Sequence, residues 1–71
     1  MPLLQSFLDS SAIRQAKYDV PRRILSIWFV GNDRPYHYLD VPERVYEELA
    51  DADSAGGYFN HRIRDHYDFV H

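Results

Sequence analysis

A chain of 71 residues has room for one core only, because a domain of this size buries about 60% of the surface its unfolded chain exposes. The absence of cysteine rules out a disulfide staple and a thiolate metal site. A formal net charge of −3 speaks against a generic nucleic-acid binder, which relies on clustered Lys and Arg to release phosphate counterions.

Charge is unevenly spread. Arg14, Lys17, Arg22 and Arg23 face a single acid, Asp19, in the first third, whereas Asp40, Glu43, Glu47, Glu48, Asp51 and Asp53 face Arg44 alone further on. The stretch Met1-Pro2-Leu3-Leu4-Gln5-Ser6-Phe7-Leu8 lacks a basic leader, and no apolar run approaches the roughly 20 residues of a membrane span. The expectation is a cytoplasmic protein with no membrane partner.

Ser11 to Tyr18 reads as a first strand, although Ala12, Ile13 and Ala16 do not alternate cleanly. Asp19-Val20-Pro21-Arg22 supplies the turn to a second strand: Asp bonds back to local backbone, and Pro sets φ. Arg23 to Val30 carries apolar side chains on both parities, with Leu25, Ile27 and Phe29 on one face and Ile24, Ser26 and Trp28 on the other. The first set is assigned to the core. Gly31-Asn32-Asp33 turns the chain again, and Tyr36 to Leu39 forms a third strand entered by Pro35.

Asp40-Val41-Pro42-Glu43 has helix-start chemistry, with Pro at the first helical position and an early acid at the positive end of the dipole. Pro42, Val45, Tyr46, Leu49 and Ala50 then recur on one stripe, leaving Glu43, Glu47 and Asp51 toward solvent. Ser54-Ala55-Gly56-Gly57 closes that helix. A short second helix carries Tyr58, Phe59 and Ile63. The fold class is therefore α+β: a three-stranded antiparallel β-meander, one amphipathic helix, then a short one. The ordered core is expected at about residues 10–64, with 1–9 and 65–71 less ordered.

This succession resembles the KTSC family, the domain type found at the C-terminus of some lysyl-tRNA synthetases, here in stand-alone form. Tyr36-His37-Tyr38 is similar to that family's central tyrosine-x-tyrosine. Asp40-Val41-Pro42 leads into a helix as in that family, and Ser54, Gly56, Tyr58, Phe59, Asn60, Ile63 and Arg64 look like its closing segment. The likeness spans about Ser10 to Arg64. It implies one domain with a β-meander followed by helix and, through the synthetase association, binding of RNA or single-stranded nucleic acid.

Two functional readings follow. In the first, Tyr36 and Tyr38, at i and i+2 on one sheet face, stack on bases while His61, Arg62 and Arg64 meet phosphate. Against it, the two rings also suit a core edge with wet hydroxyls, and the cations suit a solvated helix end blunted by Asp65 and Asp68. In the second, the chain is a protein-interaction module that forms a homodimer. Trp28 points away from the helices, with Ile24 and, depending on register, His37 and a basic side chain of the first strand as neighbours. Catalytic motifs are absent, so no enzyme is expected. Nor is a cofactor or metal, since His61, His66 and His71 are five apart and rotate off a common helical face.

Overall fold

One extra residue in the first long strand reconciles its irregular apolar pattern with a regular sheet. The computed structural model of the protein describes residues 3–7 and 10–71. It contains β1 (Leu3–Ser6), β2 (Ile13–Asp19), β3 (Ile24–Phe29), β4 (Tyr36–Tyr38), α1 (Glu43–Asp51), α2 (Ala55–Arg62) and β5 (Phe69–Val70). Ile13 pairs with Phe29 and Gln15 with Trp28, so Arg14 is a bulge between them. That bulge flips the parity, and Ile13, Ala16 and Tyr18 all turn inward to near-complete burial.

The sheet is a five-stranded antiparallel meander in the order β1-β2-β3-β4-β5, not the three-stranded sheet expected from the sequence. The two additional strands lie at the margins, in segments expected to be less ordered. Leu3-Leu4-Gln5-Ser6 has no clean alternation, and Phe69-Val70 is a two-residue strand after a charged stretch. Both form because a neighbouring edge, β2 or β4, offers unpaired main-chain groups to a chain that passes close by. The Leu39 N–H also donates to the Asp68 carbonyl at 2.8 Å, which brings the C-terminal segment alongside β4.

Both helices cover one sheet face. Val45, Tyr46 and Leu49 of α1 are buried, the stripe expected from their spacing, while Glu43, Glu47 and Asp51 stay exposed. Tyr46 stacks on Tyr18 of β2 with ring centroids 5.6 Å apart. From α2, Phe59 meets Phe29 at 5.0 Å and Tyr38 at 5.5 Å, both edge-on. Leu25, Ile27, Val41, Leu49 and Ile63 are fully enclosed between sheet and helices.

Gly56 and Gly57 differ from expectation. They lie in the first turn of α2, and Ser54 is the N-cap, its hydroxyl accepting from the Gly57 N–H at 3.0 Å. Helix α1 has already ended at Asp51, with Ala52 extended. Close approach accounts for the first glycine: a Cβ on Gly56 would stand 3.0 Å from the Cβ of Ala12. Left-handed backbone occurs instead at Arg23 (φ 58°) and Asp40 (φ 60°). Arg23 closes the β2–β3 turn, its N–H donating to the Asp19 carbonyl at 2.8 Å.

Candidate functional site

With both helices on one side, the opposite face of the sheet is defined by strand alternation and register. A row of side chains crosses it, one from each strand: Leu4 opposite Lys17, Lys17 opposite Ser26, Ser26 opposite His37, and His37 opposite Val70. Trp28 and Ile24 flank Ser26 along β3 on the same face, and Gln15 sits across from Trp28. Trp28, Ile24 and His37 are thus brought together, with Lys17 as the basic neighbour from the strand before.

The centre of the row is tied by a hydrogen bond between the Ser26 hydroxyl and His37 Nδ1 at 2.6 Å. Ser26 is only 7% exposed although no helix lies over it, because the larger side chains around it close in. Further out the face becomes apolar and open: Leu4 is 62% exposed and Val70 54%. Among the described residues nothing covers this surface. A half-buried tryptophan and isoleucine at the centre, exposed apolar side chains at both margins, one lysine and a satisfied polar pair have the composition of an interaction surface.

Tyr36 and Tyr38 occupy the other face. Tyr38 is 3% exposed, held between Phe59 and Phe69, so its ring offers no face to a base. Burial pushes its phenol pKa up, with Tyr36 adding to the shift and Arg64 opposing it. Tyr36 is half-buried against Phe29, and its ring already stacks on His71 at 4.0 Å. His61, Arg62 and Arg64 are exposed at and just beyond the end of α2. The five residues considered for nucleic acid therefore divide into two aromatics packed in or against the core and three exposed side chains, two of them arginines.

Among the described residues no group of three or more His, Cys, Asp or Glu is placed to hold a metal ion. No described helix is long and apolar enough to cross a membrane. One depression, of about 340 Å³, lies between Ser10 to Ala12 and Ser54 to Gly56. Two of its serines are used locally: Ser10 Oγ accepts from the Ala12 and Ile13 N–H groups, and Ser54 caps α2.

Comparison with known proteins matches the KTSC domain model to residues 9–67. The chain belongs to the KTSC domain family. A crystal structure of a KTSC domain protein from Yersinia pestis superposes with a TM-score of 0.88 at 31% identity, covering 99% of this chain and 96% of that one. A protein of Tsukamurella paurometabola is 40% identical over 53 residues, 75% of this chain and 78% of the relative. An uncharacterized protein of Stutzerimonas stutzeri is likewise 40% identical over 53 residues, 75% of this chain and 73% of the relative. The KTSC match includes β2, β3, β4 and both helices, and stops short of β1 and β5.

Sequence reasoning missed Leu4 and Val70 because it missed their strands. Ser26 was visible as the one polar residue in an apolar strand, but its bond to His37 depends on a register that only the folded sheet defines.

Proposed function

We propose that this KTSC domain is a noncatalytic interaction module whose outer sheet face, centred on Trp28, seats a second copy of the chain. The observation that carries the reading is the row Leu4, Lys17, Ser26, His37 and Val70, backed by Ile24 and Trp28, on a face that both helices leave bare. The 22 strand residues, at a rise of about 3.3 Å and a strand spacing of about 4.8 Å, make a patch of roughly 350 Å² per copy. Two such patches give an interface of about 700 Å², below the roughly 1,000 Å² of a stable specific complex and in the range of weak, transient contacts. The dimer is accordingly weak and concentration-dependent.

Nucleic-acid binding, the function implied by likeness to synthetase-attached domains, has less support in the geometry. Its stacking residues Tyr36 and Tyr38 are occupied by Phe29, Phe59, Phe69 and His71. Sedimentation equilibrium over a wide concentration range, on the natural chain and on Trp28→Arg, tests the first reading, and titration with single-stranded RNA at two salt concentrations tests the second. Self-association weakened in the variant supports the outer-face dimer. A monomer throughout, with salt-sensitive RNA binding, supports the nucleic-acid reading instead.

A further inference from the structure

The sheet has two edges, and they are not alike. The β5 edge is two residues long and is preceded by Asp68, the kind of short, charged margin that discourages another strand from adding. The β1 edge is four residues long, and from Leu3 to Phe7 it contains no charge and no proline. Among the described residues nothing pairs with its outer side.

Main-chain direction along β1 follows from one bond. The Phe7 N–H donates to the Arg14 carbonyl at 3.0 Å. In an antiparallel ladder alternate residues address the same neighbour, so Leu3, Gln5 and Phe7 turn their N–H and C=O groups toward β2. Those of Leu4 and Ser6 point out to the free edge. The Ser6 carbonyl is reached there by its own neighbour, the Gln5 side-chain amide, at 3.2 Å. The edge thus presents two donors and two acceptors placed symmetrically about Gln5, with the Ser6 acceptor shared with the Gln5 amide until a partner strand displaces it.

We infer that the β1 edge pairs with the β1 edge of a second copy, antiparallel about a twofold axis through Gln5. In that register Leu4 of each copy lies opposite Ser6 of the other, and each such pair exchanges two N–H···O=C bonds, four in all. The two sheets join into one of ten strands. Both outer faces then lie on the same side, and the exposed Leu4 of each copy falls near the seam. A symmetric arrangement of donors and acceptors fits the chain's own copy, and the absence of charge from Leu3 to Phe7 lets like edges meet. The opposing influence comes from α1: Glu47 and Asp51 stand beside Leu3, Leu4 and Gln5, and pairing brings the two acidic pairs toward each other. Added salt screens that repulsion and tightens the pairing, the reverse of phosphate binding.

The inference uses β1 alone, so it is tested with the outer face disabled. Trp28→Arg is followed by sedimentation at rising concentration and by amide hydrogen exchange, with exchange also measured on the natural chain in case the variant folds poorly. The expected result is slowed exchange of the Leu4 and Ser6 amides as concentration rises. It is accompanied by a dimer that strengthens with salt and weakens at least tenfold on adding Leu4→Pro, which removes an outward N–H and leaves the β1–β2 ladder its donors. Leu4→Lys, which keeps that N–H and adds a charge to the edge, weakens it as well. Unprotected Leu4 and Ser6 amides at millimolar concentration, in both the natural chain and the variant, overturn it.

Discussion

The Tyr18 hydroxyl donates a hydrogen bond to the Val41 carbonyl across 2.5 Å, tying β2 to the segment that enters α1. Both residues are almost completely enclosed, and Tyr46 stacks on the Tyr18 ring. Removing the hydroxyl alone leaves a buried carbonyl without its partner. Tyr18→Phe is expected to lose about 1 to 3 kcal/mol, and each kcal/mol lowers the melting temperature of so small a domain by about 4 to 8 °C. Thermal and urea unfolding of the variant check this, and a change indistinguishable from zero contradicts it.

Gly56 sits in a helix, where alanine is ordinarily the better residue by about 1 kcal/mol. Here the added Cβ meets that of Ala12 at 3.0 Å, and Ala12 is held by its N–H bond to Ser10 Oγ and its carbonyl bond to the Val30 N–H. Gly56→Ala is therefore expected to destabilise by about 1 kcal/mol, the cost of overpacking exceeding the gain in helix propensity. Gly56→Ala combined with Ala12→Gly removes the clash and restores the loss. A single variant more stable than the natural chain contradicts this packing.

The two helices are joined at their exposed margin by the Tyr58 hydroxyl, which donates to Glu48 Oε1 at 2.6 Å. Burial, then this bond and the negative charge of Glu48, push the Tyr58 pKa up to about 12. The folded state thus holds the phenol proton more tightly than the unfolded chain, where tyrosine titrates at about 10. The associated stability is complete below about pH 10 and is lost as pH climbs toward about 12. Burial also raises Tyr18, Tyr38 and Tyr46, so the alkaline decline has several sources. The urea midpoint is expected to fall steeply across that window and less steeply in Tyr58→Phe. Identical slopes contradict the assignment to Tyr58.

The centre of this molecule is legible in its residues, and its margins are not. Leu25, Ile27 and Phe29 announce the inner face of β3 by period-two alternation, and Val45, Tyr46 and Leu49 announce the buried stripe of α1 by helical spacing. Arg14 hides the regularity of β2, since a bulge breaks alternation without leaving a compositional mark. Leu3 to Ser6 and Phe69 to Val70 have no strong local preference and become strands only against edges that exist after folding, a tertiary effect. The glycines at 56 and 57 read as a helix stop, whereas Ser54 already caps a new helix and Ala12 demands the small residue. At the candidate site, the outward parity of Ile24 and Trp28 could be read directly, but the Ser26–His37 bond and the row from Leu4 to Val70 needed the register.

The central claim, that the bare sheet face around Trp28 is where copies of this domain meet, is tested most directly by following amide and indole chemical shifts on dilution. Concentration-dependent shifts are expected at Lys17, Ser26, Trp28 and His37, with the enclosed Tyr38 and Phe59 unmoved. Shifts at those four residues that stay fixed from millimolar to low micromolar concentration would contradict it.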